Sequence, residues 1–273
     1  MTTVVSILNT IVTFVFGLAY TPLKFLGPFW SLAGISCLSG ILLVWIFGKV
    51  SNQDAIQRTR NRLSGELLGL RLFKDDLRVF FGIQGEVMKW TFKYLRYSLL
   101  PMLILMIPTM IILIQLNLHY GARPLRVGEQ ALVKVKLREG ANTDVSLSAP
   151  ENLKIETKGV HAEGMREISW RVRGASPGRF DLTANDGKVS VTKAGAVGGM
   201  VEGVSTARTD WLASVLYPGE APVPRDSAIE SIEISYPAMD ILFLGFHLNW
   251  LILFLVLSLA LGFAFKGVLG VQI

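Results

Sequence analysis

The sequence is poor in the residues that build metal sites and activated nucleophiles. It contains one cysteine, Cys37, which excludes an intrachain disulfide and a CxxC metal site. Its three histidines, His119, His161 and His247, are far apart and show no metal-ligand spacing. Phosphate-binding, dinucleotide-binding and GxSxG signatures are also missing from the sequence. We therefore expect a protein that is not an enzyme and that uses no metal or other cofactor.

Charge is scarce as well, and it is unevenly distributed. Charged residues make up 18% of the 273 residues and hydrophobic residues 51%, whereas about a quarter of an ordinary soluble domain is charged. Three stretches contain no Asp, Glu, Lys or Arg, namely residues 25–48, 97–122 and 241–265. Each can supply the roughly 20 apolar residues of a transmembrane helix. The sequence therefore predicts an integral membrane protein with three crossings.

The formal net charge of +6 predicts the orientation of these crossings. Residues 49–98 contain ten Lys/Arg and five Asp/Glu, whereas residues 118–237 contain fifteen of each. Short loops rich in Lys/Arg stay in the cytoplasm, and long domains translocate largely regardless of charge. We expect residues 49–98 and the C-terminus in the cytoplasm. The N-terminus and the long domain are expected outside it, and the predicted location is the inner (plasma) membrane.

The first 28 residues form a separate segment. Polar residues and a glycine recur there at three- and four-residue steps: Ser6, Asn9, Thr10, Thr13 and Gly17. A narrow polar stripe on an apolar helix is typical of a helix that lies in the membrane interface. The alternative is a fourth, slightly short crossing that turns at Pro22 and reverses the N-terminus.

A basic helical hairpin is predicted between the first two crossings. Ser51-Asn52-Gln53-Asp54 fits a capping box, which indicates a helix start, and residues 73–76 read as the turn before a second helix. The candidate cytoplasmic contact surface consists of the cations Arg58, Arg60, Arg62, Arg71, Lys74 and Arg78. The simpler interpretation of these charges is a solvated surface that also sets the topology. The alternative is a surface for anionic headgroups, ribosomal RNA or an acidic partner.

Beyond the second crossing the hydrophobic period changes to two. Seven short segments alternate apolar and polar residues, which is the pattern of half-buried strands. Asn185-Asp186-Gly187 between two of them predicts a tight hairpin. This pattern predicts an extracytoplasmic all-β sandwich, immunoglobulin-like in architecture but without its cysteine pair.

The predicted fold class is thus an α-helical integral membrane protein with an inserted β-sandwich domain. The expected organisation is an amphipathic interfacial helix (1–28), transmembrane helix 1 (29–48), the basic cytoplasmic helical hairpin (49–98), transmembrane helix 2 (99–118), the extracytoplasmic β-sandwich (119–240), transmembrane helix 3 (241–265) and a cytoplasmic tail (266–273).

This order of elements resembles the YidC/Oxa/Alb membrane-protein insertase superfamily, particularly its short three-helix branch. The resemblance is carried by the amphipathic residues 4–20, by a first crossing that leads straight into the hairpin at 51–97, and by Leu99-Leu100-Pro101-Met102-Leu103-Ile104 with Pro108. It covers residues 1–118 and 241–265 and leaves out the external domain. The resemblance implies that three core helices form a groove open to the cytoplasm and to lipid, and that the hairpin receives hydrophobic substrates.

The candidate groove residues differ from those of the family, because none of them is charged. The groove arginine of the bacterial members has no equivalent here, and the candidates are Ser36, Ser39, Pro108 and Ser258. Polar groups in such a groove would lower the cost of moving a hydrophilic flank through hydrocarbon. The serines are also the kind of small residue that lets membrane helices pack closely.

Two functions follow as expectations. The first is an insertase-like protein or membrane chaperone that assists the insertion or assembly of membrane proteins. Its partners would be the lipid bilayer, other membrane proteins as substrates or complex subunits, and a ribosome or nascent chain, but not DNA. The alternative is a non-catalytic structural or accessory subunit of a larger membrane complex, which would hold an external partner through its β-sandwich. The missing groove charge and the added domain motivate this alternative.

Overall fold

The fold is that of a computed structural model, which describes residues 2–72, 77–141, 145–198, 203–210, 213–217, 219–243 and 245–271. The chain divides into two compact units. The sheet-bearing unit comprises residues 1–31 and 113–250, and the helical unit comprises residues 32–112 and 251–273.

The described residues form five α-helices and antiparallel β-sheets. The helices are α1 (Thr2–Tyr20), α2 (Pro28–Val50), α3 (Gln53–Leu72), α4 (Leu77–Tyr120) and α5 (Trp250–Phe265), with a 3₁₀ turn at Lys24–Leu26 before α2. The start predicted for α3 is close to the observed one. The cap, however, is Asn52, whose Oδ1 accepts a hydrogen bond from the backbone N–H of Ala55 at 3.0 Å. The turn predicted at 73–76 lies outside the described residues.

Helix α4 joins two elements that the sequence analysis separates. It runs for 44 residues through both Pro101 and Pro108, so no break occurs at the predicted boundary between residues 98 and 99. Each proline removes one backbone donor, and a long apolar helix tolerates this loss when its other hydrogen bonds remain.

Two helices are long and apolar enough to cross a membrane. They are α2 and the Arg78–Tyr120 part of α4, and their most apolar windows are 33% and 17% buried. A core helix of a soluble protein would be mostly buried, and large apolar side chains on both helices, such as Trp45 and Met106, are exposed instead. These helices suggest that the protein associates with a membrane.

The structure corrects the prediction of one continuous transmembrane helix over residues 241–265. The first part of residues 241–265 forms the hairpin strands β10 (Asp240–Phe243) and β11 (Phe246–Asn249), and α5 begins only at Trp250. With 16 residues, α5 is shorter than the two candidate spans. Gly245 takes the positive φ of 87° that the tight turn between the strands requires. Hydrophobicity alone does not distinguish such a strand from a helix, because both are continuous apolar runs.

The prediction of an antiparallel β-sheet domain is confirmed. Its other strands are β1 (Gln130–Leu137), β2 (Ser146–Ser148), β3 (Leu153–Ile155), β4 (Val160–Ala162), β5 (Glu167–Gly174), β6 (Gly178–Asn185), β7 (Ser190–Val197), β8 (Ala207–Arg208) and β9 (Ile229–Ile234). Among the described residues, one sheet has the order β3-β5-β1-β9-β8 with β4 also paired to β5, and a second has the order β2-β6-β7.

Side chains from both sheets enter one hydrophobic core. Val133, Trp170 and Ile232 come from the larger sheet, and Phe180 and Leu182 come from the smaller one. The alternation of buried and exposed positions along β1, β5, β6 and β7 is the period-two pattern of the sequence. The tight turn predicted at Asn185-Asp186-Gly187 lies between β6 and β7, which pair from Asn185↔Ser190 onward.

In the sheet-bearing unit, α1 packs against the last turns of α4. The Nε2 of Gln115 donates to Oγ1 of Thr13 at 3.1 Å, and the ring of His119 lies 5.3 Å from that of Phe16 and 4.5 Å from that of Tyr20. The contacts advance along both helices in the same direction. Thr13, a member of the predicted polar stripe, therefore faces α4.

Candidate functional site

Helices α2 and α5 approach each other closely in the helical unit. A Cβ added to Gly40 would lie 2.6 Å from the backbone oxygen of Ser258 and 3.3 Å from the backbone nitrogen of Gly262. Only a glycine fits that position, as is usual where small residues let two apolar helices pack backbone to backbone. This contact fixes one wall of the adjoining pocket.

An apolar pocket of about 420 Å³ lies beside this contact. Its wall is contributed by α2, α3, α4 and α5, and it is lined by Gly40, Leu43, Val44, Phe47, Ile56, Tyr94, Ser98, Met102, Leu105, Ser258, Leu259, Gly262 and Phe263. The residues from α3 and the first half of α4 belong to the predicted hairpin, and the others belong to the apolar helices. The pocket therefore lies where the hairpin meets the apolar helices, and its chemistry suits a hydrophobic side chain or segment.

The four predicted groove residues do not converge on one site. Ser258 lines the apolar pocket, whereas Ser36, Ser39 and Pro108 are not among its lining residues in the described part of the chain. Both Ser36 and Ser39 are buried on α2. The hydroxyl of Ser36 donates to the carbonyl of Leu32 at 2.7 Å, and that of Ser258 donates to the carbonyl of Leu255 at 3.2 Å. Each of these two hydroxyl groups thus donates its hydrogen bond to a carbonyl of its own helix.

A larger and more polar cleft lies between α3 and α4. It has a volume of about 940 Å³ and is lined by Asn52, Asp54, Ala55, Arg58, Thr59, Asn61, Arg62, Gly65, Glu66, Trp90, Lys93 and Tyr97. The guanidinium of Arg62 lies 5.9 Å and the ammonium of Lys93 lies 4.8 Å from the centre of the Trp90 ring. Cations near an aromatic face are held by the ring quadrupole, so Trp90 organises the positive charge of this cleft.

The structure brings together part of the predicted contact surface. Arg58 and Arg62 both line the cleft. Arg60, Arg71 and Arg78 are exposed and are not among its lining residues in the described part of the chain. Lys74 lies outside the described residues. Sequence reasoning missed Trp90 and Lys93, although their three-residue spacing on one helix could have indicated a shared face.

A buried ion pair in the sheet-bearing unit was also missed. Lys193 on β7 is completely buried, and its ammonium donates to Glu220, to the carbonyl of Ser205 at 2.7 Å and to that of Ala194 at 3.0 Å. Burial lowers the pKa of Lys193, while the Glu220 carboxylate acts in the opposite direction. The alternation along β7 indicates that Lys193 is buried. Val191 and Val197 point inward, and Lys193 lies an even number of residues from both, so it shares their face of the strand.

The Glu220 pair attaches the segment after β7 to the sheet. The second oxygen of Glu220 accepts from the backbone N–H of Ala194 at 2.6 Å. A concave surface of about 960 Å³ lies next to it and is lined by Leu118, Pro124, Pro150, Gly178, Arg179, Phe180, Asp181, Ala194, Gly195, Ala196, Gly198, Gly203, Val204, Ser205, Gly219 and Glu220. Its many glycine, alanine and proline residues leave backbone accessible, which suits contact with an extended partner segment.

A scan of family models and searches of curated proteins and of solved structures find no match to this chain.

Proposed function

We propose that the protein is an insertase-like membrane chaperone, related in layout to the YidC/Oxa/Alb superfamily. The observation that carries the proposal is the apolar pocket lined jointly by hairpin residues such as Ile56 and Tyr94 and by residues of the apolar helices such as Val44 and Phe263. A hydrophobic client segment arriving at the hairpin would enter this pocket before it reaches lipid.

The helices would be arranged in the membrane as follows. Helices α2 and α4 cross it, and α5 crosses as a shorter third helix. The net positive charge of residues 49–98 keeps the hairpin in the cytoplasm, because Lys/Arg-rich short loops are retained there. The sandwich, immunoglobulin-like in architecture, then lies outside the cytoplasm, and the C-terminus lies inside.

For α1 the contacts favour a further crossing over an interfacial helix. The contact pairs Thr13–Gln115 and Tyr20–Tyr120 advance together along α1 and α4. A helix of 19 residues rises about 28 Å, which is close to the hydrocarbon thickness of about 30 Å. We place the N-terminus in the cytoplasm, so an N-terminal tag should be accessible to protease only after the cells are opened.

Client transfer is tested by photo-crosslinking from two methionine positions of α4. Met102 lines the pocket, and Met110 lies two helical turns further along and is similarly exposed. A photoreactive residue at 102 should crosslink to the hydrophobic segment of a ribosome-bound nascent chain, and the same residue at 110 should crosslink less. The proposal fails if position 102 gives no more product than position 110 and if depletion of the protein impairs no membrane-protein insertion.

The alternative is an accessory subunit that holds an external partner. It is favoured by one observation, the concave surface beside Lys193 and Glu220, which the proposed transfer of a client to lipid does not use. Purification in mild detergent tests this function. Stoichiometric recovery with other membrane proteins would support it, and a lone monomer would contradict it.

A further inference from the structure

The hairpin of β10 and β11 is attached to the start of α2. Phe243 pairs with Phe246 across the turn, and the ring of Phe243 stacks on that of Phe29 at 4.8 Å and 17°. Ile241 is buried. An isolated two-stranded hairpin is marginal in water, so these two contacts explain how this one keeps its conformation.

Both faces of the hairpin nevertheless expose a large apolar side chain. Leu242 and His247 pair and lie on one face, whereas Phe243 and Phe246 pair and lie on the other. Leu242 is 60% exposed and Phe246 is 70% exposed. Packing against the rest of the unit could hide one face of a two-stranded ribbon, but it would leave the other in water.

Further apolar side chains are exposed on the segment that contains Phe29. Phe25 in the 3₁₀ turn is 77% exposed, and Trp30 in the first turn of α2 is 64% exposed. Since Phe29 touches the hairpin, these side chains belong to the same region of the sheet-bearing unit. The exposed apolar residues thus lie on two parts of the chain that the Phe29–Phe243 contact joins, and we call them together the aromatic patch: Phe25, Leu26, Trp30, Leu242 and Phe246.

We propose that the aromatic patch is a lipid-binding surface that lies in the headgroup region of the outer leaflet. Lipid is the occupant because the patch is continuous with the apolar helices. The 3₁₀ turn is followed after one residue by α2, and β11 is followed directly by α5. No Asp, Glu, Lys or Arg occurs from residue 241 to residue 265. Trp, which the patch contains as Trp30, is enriched at this depth of a bilayer.

The backbone of the hairpin sets the depth of the patch. Among the described residues β10 and β11 form a sheet of two strands, so each has an outer edge whose N–H and C=O groups require water or headgroups. Open sheet edges do not occur against hydrocarbon. The hairpin therefore stays in the hydrated interface, with Leu242 on one face and Phe246 on the other, both in contact with lipid.

The same depth sets the level at which α5 begins. Its 16 residues rise about 24 Å, which is less than the hydrocarbon thickness of about 30 Å. If the hairpin occupies the interface, α5 begins directly at the headgroup boundary, and its helix covers all but about 6 Å of the hydrocarbon. The inference rests on the proposal that α2, α4 and α5 cross the membrane.

The test measures the depth of a fluorescent label at position 246 in the full chain, reconstituted in phosphatidylethanolamine/phosphatidylglycerol vesicles. In a Cys37→Ser background, Phe246→Cys carries the label, and Leu242→Cys repeats the measurement on the other face. Lys188→Cys in the β6–β7 turn is the aqueous reference, and Leu259→Cys on α5 is the lipid reference. Quenching is measured with iodide and with lipids that carry a nitroxide at a shallow or a deep position.

We expect labels at 246 and 242 to be quenched several-fold less by iodide than the label at 188, and more by the shallow than by the deep nitroxide. Iodide quenching equal to that at 188, stronger quenching by the deep nitroxide, or protection from both quenchers would each overturn the inference. If the label at 259 is also open to iodide, the proposed crossing of α5 fails as well, which distinguishes the two failures.

Discussion

The hydroxyl groups of Ser31 and Tyr120 lie 2.7 Å apart and are both buried. They join the first turn of α2 to the last residue of α4, across 89 positions of sequence. A buried hydroxyl without a partner is costly. Ser31 supplies the partner of the Tyr120 hydroxyl, and its own hydroxyl also donates to the carbonyl of Pro28 at 3.1 Å. The ring of Tyr20 also packs edge-on against Tyr120, so this contact connects the ends of α1, α2 and α4 within the sheet-bearing unit.

Removing one of these hydroxyl groups should destabilise the protein. Tyr120→Phe and Ser31→Ala are each expected to cost about 1 kcal/mol, the usual net value of a buried hydrogen bond. The double variant should cost less than the sum, because both changes remove one interaction. SDS titration in mixed micelles measures the free energy of unfolding of all three variants. Strict additivity would show that the two hydroxyl groups do not interact.

A methyl group at Gly40 should separate α2 from α5. Gly40→Ala places its Cβ 2.6 Å from a backbone oxygen that cannot rotate away, so we expect a loss of about 1–3 kcal/mol, typical of overpacking. Gly82→Ala is the matched control, because a Cβ there meets nothing within 4 Å on a helix that gains propensity. SDS titration in mixed micelles measures the free energy of unfolding of both variants. Equal stability of the two variants would contradict the close approach.

Asp186 should make the stability of the sheets depend on pH in the acidic range. Burial opposes its ionisation, but hydrogen bonds from the backbone of Val189, Lys188 and Ala228 and from Ser227 prevail and lower the pKa of Asp186 to about 2. The folded state thus binds fewer protons than the unfolded state between this value and the ordinary pKa of about 4. Stability from this group is present above pH 4 and is lost as the pH falls through about 2.

Asp186→Asn tests this dependence. The variant should lose about 1–3 kcal/mol at neutral pH, as expected for hydrogen bonds to a charged acceptor, and its deficit should shrink toward pH 2. Asp181→Asn, at an exposed position of β6, is the control and should change little. Near-ultraviolet circular dichroism monitors unfolding and gives the free energy of unfolding of each variant at each pH. A deficit that is independent of pH would contradict the assignment.

Two of the Lys–Glu pairs in the sheet-bearing unit should differ greatly in their contribution to stability. Glu220→Gln leaves the buried ammonium of Lys193 without its counter-ion, and we expect a cost of about 3–5 kcal/mol. Glu230→Gln breaks the exposed pair with Lys136 and should cost at most about 1 kcal/mol. Thermal unfolding distinguishes them. Similar melting temperatures would mean that Lys193 is solvated or neutral in the folded protein.

The sheets were predictable because their signal is local. Alternation along β1, β5, β6 and β7 directly follows which face is buried, and the Asp-Gly pair marks a turn whatever the rest of the chain does. The same alternation indicated that the side chain of Lys193 points inward. Its partner Glu220 was not predictable, because the 27 positions between them give no information on where the chain returns.

The helical unit was predictable only in outline. Runs without charge located α2 and the apolar part of α4, but they could not separate the strands β10 and β11 from α5, since all three are apolar. The pocket and the cleft depend on the rotation of each helix about its own axis. For this reason Arg58 and Arg62 were predicted as surface cations, while their relation to Trp90 was not.

Our central proposal is that the α3–α4 hairpin is cytoplasmic and that the β-sheets lie outside the cytoplasm. It is tested most directly by labelling whole cells with a membrane-impermeant maleimide, using two single-cysteine variants in a Cys37→Ser background. Gln57→Cys and Lys188→Cys are both at exposed positions, on α3 and in the β6–β7 turn. We predict that position 188 is labelled in intact cells and position 57 only after permeabilisation. Labelling of position 57 in intact cells, with position 188 protected, would contradict the account.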